Sequence, residues 1–301
     1  MNRKGKKMGD FSQRVLSRLI TPFGVMVRKA GRKNSTAIAH LLGDFVYYIL
    51  KTRRPLVIGN LARTFPAKSS AEINALAVQV YRNQAENIIE MLRLPMIKTA
   101  EDASKLIDID AADLLAKTVD QKKGGVLVSA HFGNWELFGF CFGLLAVPLT
   151  VVVKPLKNSM IDHQINAWRT MHGNRIVYDR QALREGLRTL KNGGIVVLLA
   201  DQSDPGGSFI TEFLGRPTAV FTGPAWLALR AGVPLFVGLC LRTKDGRYKF
   251  ETEEIESGDL GTTRADAEEL TRRYTKVLER SIYSFPEEWF WLHNRWKRME
   301  S

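Results

Sequence analysis

His131 and Glu136 are the residues of this 301-residue chain with the clearest potential for chemistry, and they stand five positions apart in VLVSAHFGNWELFG at 126–139. The apolar run before His131 predicts a buried strand, and Gly133 leads into a predicted helix. Open α/β sheets place their ligands at the carboxyl ends of such strands. We therefore predict a site in which His131 is a general base and the Glu136 carboxylate orients its imidazole, directly or through another group.

The geometry of this pair depends on where the helix begins. On one unbroken helix the two side chains would lie ~140° apart around the axis, so direct contact requires His131 to lie in the preceding turn. If Gly133 and Asn134 begin the helix, their unpaired amides favour a neutral imidazole and are the predicted donors to an oxyanion. The alternative is a surface histidine beside a helix glutamate that makes an ordinary ion pair.

Asp201 and Gln202 follow a second apolar run, GIVVLLA, and are predicted to lie on the same side of a parallel sheet as His131. Asp201 either contributes to the site or caps the loop SDPGG. No metal site is predicted, because the five histidines show no ligand spacing with cysteine or carboxylate. The sequence also lacks the glycine fingerprints of nucleotide-binding loops.

Apolar runs of strand length alternate with stretches of helical periodicity over most of the chain. Strands are predicted at 125–130, 149–153, 175–178, 195–200, 234–241 and 248–254. Helices are predicted at 134–145, 159–171, 181–191, 222–231 and 264–284, after an earlier helical region from 55 to about 94. This alternation predicts an α/β fold with a largely parallel, mixed sheet covered by helices on both faces.

Residues 1–34 are predicted to form a basic amphipathic segment at the membrane interface, and residues 35–301 a single α/β domain. Apolar residues recur at helical spacing from Phe11 to Ile20, while polar and basic residues occupy the other side. The alternative is a helix packed on the domain. The next apolar stretch, 36–50, is shorter than the ~20 residues that span a bilayer. We expect a protein that lies on the membrane without crossing it.

The charge of the chain calls for an anionic partner, since 44 Lys and Arg against 31 Asp and Glu leave a formal net charge of +13. An anionic membrane surface, phosphorylated substrates, an acidic carrier protein and nucleic acid would all suit it. Nucleic acid is the least favoured, because the basic residues are spread along the chain and form no binding module. Cys141 and Cys240 alone predict no disulfide framework, so a reducing, cytoplasmic setting is expected.

Five blocks of the sequence resemble, in order and spacing, those of the bacterial lipid A late acyltransferases. SAHFGNWELFG is similar to the His-x-x-x-x-Glu pattern of that family. The other blocks are RRPLVIGNLARTFP at 53–66, NQAENIIEMLRLP at 83–95, LLADQSDPGG with FLGRPTAVFTGPAWLALRAGVP at 198–234, and FPEEWFWLHNRWK at 285–297. The likeness covers residues from about 35 to 298.

The resemblance implies transfer of a fatty acyl chain from a carrier thioester to a hydroxyl of a membrane acceptor. In that family the hydroxyl belongs to a 3-hydroxyacyl chain of a phosphorylated glucosamine disaccharide. Acyl carrier protein is the implied donor, acyl-CoA is the alternative, and no bound cofactor is required. The implied location is the cytoplasmic face of the bacterial inner membrane. An acyltransferase of the same fold that acts on another glycolipid, or a non-catalytic membrane-surface protein, would also fit the sequence.

Further residues receive roles from this resemblance or from their charge. Arg169 matches an arginine-rich helix of the family and is a candidate, with Asp201 and Gln202, for positioning the substrate or the oxyanion. Contacts with a phosphate or headgroup are predicted for Lys154, Arg175, Arg216 and Arg295, with an ordinary surface charge as the alternative at each position. Trp291 is expected to pack on the core.

Overall fold

The computed structural model of the chain describes residues 22–204, 206, 209–297 and 299. Its strands are β1 (Ile107–Asp110), β2 (Gly125–Ser129), β3 (Leu149–Val153), β4 (Arg175–Tyr178), β5 (Ile195–Leu199), β6 (Ile210–Phe213), β7 (Arg216–Ala219), β8 (Leu235–Arg242) and β9 (Tyr248–Ile255). Seven of them form one mixed sheet in the order β1-β9-β8-β2-β5-β3-β4, and β6 and β7 pair separately as an antiparallel hairpin.

The central part of the sheet is parallel. β8, β2, β5, β3 and β4 all run in one direction, whereas β9 is antiparallel to β8 and carries β1 parallel to itself at the edge. The carboxyl ends of five strands therefore meet at one edge of the sheet, which we call the carboxyl edge. The predicted α/β fold with a largely parallel, mixed sheet is confirmed.

The helices surround this sheet. They are α1 (Gly31–Phe45), α2 (Arg54–Thr64), α3 (Ser70–Arg93), α4 (Ala100–Ser104), α5 (Ala112–Leu115), α6 (Trp135–Leu145), α7 (Ser159–Arg169), α8 (Ala182–Lys191), α9 (Gly223–Ala231) and α10 (Arg264–Ser284). Short 3₁₀ turns lie at Leu94–Met96, Asp179–Gln181 and Pro286–Glu288, and π-helical turns at Val46–Leu50 and Ala116–Asp120. All six predicted strands and the helices predicted between residues 55 and 284 are found, whereas β1 and the β6–β7 hairpin were not predicted.

Alternation along β2 explains why helices cover both faces of the sheet. Val126 and Val128 belong to one buried cluster, which includes Tyr274 of α10, and Leu127 belongs to another, which includes Phe138 of α6. Successive side chains of a strand point to opposite faces, and here both faces are buried. A strand in this position needs an apolar residue at nearly every position, which is the pattern of VLVSA.

The amino-terminal helices pack on α3, and no other described residues cover one of their apolar faces. Residues 22–29 are helical. The helix α1 runs from Gly31 to Phe45 and continues directly into the π-helical turn Val46–Leu50. Leu41, Phe45, Tyr48 and Ile49, at helical spacing, are 71%, 48%, 52% and 66% exposed. The helix predicted from Phe11 to Ile20 lies outside the described residues. Among the helices that the structure does describe, none is long and apolar enough to cross a bilayer.

Candidate active site

The register of the sheet brings His131 and Asp201 together. β2 pairs in parallel with β5, and Ser129 stands opposite Leu199 at their carboxyl ends. The amide of Ala200 donates to the carbonyl of Ser129, which extends the pairing one step further. His131 and Asp201 each follow the last residue of their strand by two positions, so they meet at the carboxyl edge. This placement of both residues on the same side of a parallel sheet is as the sequence predicted.

The two side chains form a direct hydrogen bond. Nδ1 of His131 lies 2.9 Å from Oδ1 of Asp201, and the indole Nε1 of Trp289 donates to Oδ2 of the same carboxylate at 2.9 Å. Burial alone would raise the pKa of Asp201, but the charge of His131 and the hydrogen bonds from His131 and Trp289 outweigh it and hold that pKa below its usual value. An ionised Asp201 that accepts the Nδ1 proton leaves the lone pair of the imidazole on Nε2.

Glu136 contacts a different partner. His131 does lie in the turn before α6, as direct contact required, but the carboxylate at its ring is that of Asp201. Glu136 instead accepts two hydrogen bonds from Arg169, from Nε at 2.9 Å and from Nη2 at 2.5 Å. The prediction that Glu136 orients the imidazole directly is therefore wrong in this structure. Asp201 is the carboxylate that contacts the imidazole, and Glu136 forms a bidentate pair with the predicted site residue Arg169 between α6 and α7.

The turn between His131 and α6 depends on Gly133. Its φ is +55°, and a Cβ built there would lie 1.5 Å from the carbonyl oxygen of Cys240 on β8. The Gly133 amide donates to the carbonyl of Glu288 at 3.0 Å, and the Asn134 amide donates to the carbonyl of Cys240 at 3.3 Å. Both amides are thus engaged with the protein, so the prediction that they bind an oxyanion is wrong.

The helix still offers donors one step further along the chain. Asn134 is the N-cap of α6, and its side-chain oxygen accepts from the amide of Leu137 at 3.1 Å. The amides of Trp135 and Glu136, the first two of the helix, have no acceptor among the described residues. Such unpaired amides carry the positive end of the helix dipole.

Residues 285–297, which we call the carboxyl-terminal segment, cover His131 from one side. The amide of Phe290 donates to the carbonyl of His131 at 3.0 Å, and the Phe290 ring centroid lies 6.0 Å from that of the imidazole. Trp135 approaches from α6, with its ring centroid 5.1 Å from the imidazole. Trp291 is buried in the core as expected. Sequence reasoning did not find the contact of Trp289 with Asp201, although the block FPEEWFWLHNRWK marked its segment.

A buried carboxyl group, that of Glu288, lies beneath the same turn. The Glu288 carboxylate is 3.6 Å from the Arg242 guanidinium, which also pairs with Glu86. Burial raises the pKa of Glu288 to about 7, although Arg242 opposes that rise. The side-chain amide of Asn87 donates to the carbonyl of Gly133 at 2.7 Å. The turn that follows His131 is therefore fixed through α3, β8 and the carboxyl-terminal segment.

His131 lines a cavity of about 820 Å³ between the sheet and the helices α6 and α7. Its walls are mainly apolar, and include Phe138, Phe140, Leu149, Val151 and Val197. Polar and charged residues also line it, among them the predicted site residues Gln202 and Lys154 and the Glu136–Arg169 pair. Nε2 of Gln202 lies 3.4 Å from both ring nitrogens of His131. A mainly apolar cavity into which polar groups converge is typical of a site for a molecule with an alkyl part.

The four basic residues predicted to contact phosphate lie in different surroundings. Lys154 is exposed and lines the cavity, and Arg175 is exposed with its guanidinium 3.5 Å from Glu185. Arg216 places its guanidinium 3.3 Å from the ring centroid of Trp296. Arg295 is 1% exposed and donates to the carbonyl of Ala219 at 2.9 Å, so the prediction of a headgroup contact is wrong for this residue.

Comparisons with known proteins give one consistent result. The sequence model of the family described as bacterial lipid A biosynthesis acyltransferase matches residues 4–298. The chain is 26% identical over 260 residues to the lipid A biosynthesis palmitoleoyltransferase of Escherichia coli (strain K12), covering 85% of this chain and 82% of that protein. It is 27% identical over 259 residues to the lipid A biosynthesis lauroyltransferase of the same organism, covering 85% of this chain and 83% of that protein.

A relative with another acceptor is also similar. The phosphatidylinositol mannoside acyltransferase of Mycolicibacterium smegmatis is 25% identical to the chain over 211 residues, covering 69% of this chain and 67% of that protein. The similarity thus extends to proteins whose names give different glycolipids.

Proposed function

Because the chain belongs to the family of bacterial lipid A biosynthesis acyltransferases, it is an acyltransferase, and we propose that it carries out a secondary acylation of a lipid A precursor. The acyl chain passes from the thioester of acyl carrier protein to the hydroxyl of a 3-hydroxyacyl chain on the acceptor. The observation that carries this proposal is the hydrogen-bonded pair of His131 and Asp201 on the wall of a mainly apolar cavity.

In the proposed mechanism, Nε2 of His131 removes the proton from the acceptor hydroxyl as its oxygen attacks the thioester carbonyl. A C–O bond forms, and the carbonyl oxygen becomes an oxyanion. When this intermediate collapses, the C–S bond breaks and the sulfur takes the proton from the imidazolium, which restores His131. Asp201 holds the ring through Nδ1 and stabilises its charged form, and Trp289 fixes Asp201.

We propose that the oxyanion is bound by the amides of Trp135 and Glu136 at the start of α6. These replace the amides of Gly133 and Asn134, which are bonded to protein carbonyls. Arg169, held by Glu136, lies on the same cavity wall and supplies positive charge there. Its role in the proposal is to position the substrate, since its side chain is fixed by the two hydrogen bonds that it donates to one carboxylate.

Two features support a donor with an acidic carrier and an acceptor in a membrane. The net charge of +13 favours acidic acyl carrier protein, and Lys154 stands at the cavity wall near the carboxyl edge. The exposed apolar face of Leu41, Phe45, Tyr48 and Ile49 is suited to burial in a lipid interface. We accordingly place the protein at the cytoplasmic face of the inner membrane, bound at its surface.

A second candidate function is acylation of another membrane glycolipid with acyl-CoA as donor. The observation that favours it is the similarity to a phosphatidylinositol mannoside acyltransferase. The proposed catalytic pair serves both reactions equally, because each joins a hydroxyl to a thioester carbonyl. The difference lies in the acceptor and in the carrier.

The test is transfer of labelled acyl groups from acyl carrier protein to a tetra-acylated lipid A precursor in detergent, with wild type and His131→Ala. Wild-type transfer that falls at least ~100-fold in the variant is expected, the scale of losing a general base. A wild type that is inactive with this acceptor but active with a phosphatidylinositol mannoside and acyl-CoA would replace the proposal by the second candidate. Undiminished transfer by His131→Ala would contradict the mechanism.

A further inference from the structure

One face of α6 lies beside His131 at its start, borders open cavity at Gly139 and packs closely against protein at Gly143. The helix follows β2 and leads into β3 in a parallel crossover, so it runs from the carboxyl edge back across the sheet. Trp135 and Glu136 lie at its start, beside His131. Gly139 and Gly143 follow on the same side, because residues four apart share a helix face.

Gly139 borders empty space. It lines the cavity, and a Cβ built on its backbone would meet no described atom within 4 Å. Its φ is not in the left-handed region, so the backbone does not require glycine there. A side chain at this position would project into the cavity without displacing protein atoms.

The cavity is closed one turn further along. A Cβ at Gly143 would lie 2.6 Å from Oδ1 of Asn174 and 2.9 Å from the carbonyl oxygen of His172. Asn174 is 4% exposed, and its side chain donates to the carbonyl of Gly139 at 2.6 Å while accepting from the amide of Leu149 at 2.8 Å. These bonds fix the Asn174 side chain and make it a rigid end wall.

We propose that Gly139 sets the length of the acyl chain that the enzyme accepts, by leaving space for the last methylenes between itself and Asn174. This inference rests on the proposed function, since it takes the cavity as the place of the donor's alkyl chain. The walls between His131 and this end are apolar, among them Phe140, Leu149 and Val151. A larger side chain at 139 would shorten the cavity and leave the groups around His131 in place.

The test compares Gly139→Ala and Gly139→Met with matched substitutions at Gly59. Gly59 lies inside α2, does not line the cavity, and also has no described atom within 4 Å of its built Cβ. Transfer is measured with a homologous series of even-numbered acyl donors. For Gly139→Met we expect the ratio of kcat/KM for the best wild-type donor to that of a donor four carbons shorter to fall at least ~10-fold. Gly139→Ala is expected to have a smaller effect in the same direction, and Gly59→Met none.

A second readout separates this inference from the proposed function. Calorimetric binding of free fatty acids of the same lengths requires no acceptor and no transfer. A wild type that binds them without transferring acyl groups would overturn the proposed function, while a shift to shorter fatty acids in Gly139→Met would still support the inference. Unchanged length profiles in Gly139→Met, or equal shifts in Gly59→Met, would overturn the inference, as would a wild type that binds no fatty acid.

Discussion

At the scale of single residues, the site contains two separate hydrogen-bonded pairs where one was expected. His131 and Asp201 form the first, and Glu136 and Arg169 form the second. Both pairs contact the same cavity, so loss of activity on mutation does not by itself tell their roles apart. The coupling between mutations does distinguish the two pairs, because mutations of residues that act as one unit do not have additive effects on the rate.

We expect Asp201→Asn to lower kcat by ~100-fold or more, because the asparagine cannot stabilise a protonated imidazole. In a His131→Ala background the same substitution should change the residual rate little. Glu136→Gln breaks a different pair, so it should cost activity in both backgrounds. Steady-state kinetics of the single and double variants in the two cycles measures these effects on kcat.

One result of these cycles would contradict the assignment of Asp201 as the partner of His131. If Glu136→Gln, and not Asp201→Asn, loses its effect in the His131→Ala background, then Glu136 acts through the histidine during the reaction despite its position in the structure. Circular dichroism of each variant checks that the fold is retained.

At the scale of elements, the carboxyl-terminal segment and the turn after β2 depend on each other. The Glu288 carbonyl accepts from Gly133, while the Glu288 side chain is buried beside Arg242. Because the pKa of Glu288 is raised to about 7, the folded protein keeps a proton there between about pH 4.5 and pH 7 that the unfolded chain releases. Rising pH through this window therefore lowers the contribution of Glu288 to the free energy of unfolding.

Glu288→Gln, which keeps the shape but cannot ionise, should remove this pH dependence. We expect the free energy of unfolding of the variant, relative to wild type, to rise by on the order of 2 kcal/mol from pH 5 to pH 8. Urea unfolding at several pH values measures it, with Glu287→Gln as the neighbouring control. If the free energies of unfolding of Glu288→Gln and wild type changed with pH in the same way, the buried, protonated state of Glu288 would be contradicted.

The elements of the site were predictable from the sequence, but their pairing was not. The runs before His131 and Asp201 gave β2 and β5, since each apolar run has the length and pattern of a strand buried on both faces. That β2 neighbours β5, and not the next strand along the chain, is decided by contacts between distant parts of the sequence. The partner of His131 followed from this order, whereas the five-residue spacing had suggested Glu136.

The contacts around the glycines also could not be predicted from the sequence. Gly133 could be recognised as a turn residue, but the approach of the Cys240 carbonyl, which occupies the two amides proposed for the oxyanion, comes from β8 over a hundred residues later. Gly139 and Gly143 look alike in the sequence. Only the tertiary structure distinguishes the one beside an open cavity from the one packed against Asn174.

At the scale of the whole molecule, the acyltransferase predicted from the sequence is confirmed by the family match. The proposed membrane surface lies on α1 and the π-helical turn after it, where Ile49 is 66% exposed. Burial of such a side chain in a lipid interface would contribute about 1.5 kcal/mol or more.

We therefore expect Ile49→Ser to weaken binding to vesicles containing anionic lipid by about 10-fold. Ile210→Ser is the matched control, because Ile210 is 54% exposed on the hairpin outside the main sheet and should leave binding unchanged. Vesicle co-sedimentation at a fixed salt concentration measures both. Equal loss in the two variants, or none in Ile49→Ser, would show that this face is not the membrane contact.

The carboxyl-terminal cover of His131 also has a consequence for the order in which a growing chain can assemble the site. Trp289 reaches Asp201, Phe290 reaches the backbone of His131, and Glu288 receives the amide of Gly133. All three belong to a segment that the ribosome makes more than 150 residues after His131. A growing chain that already contains β2 and β5 has His131 and Asp201, but it lacks the contacts of Trp289 and Phe290 with them. The surroundings of the His131–Asp201 pair are thus completed last, when the carboxyl-terminal segment has been made.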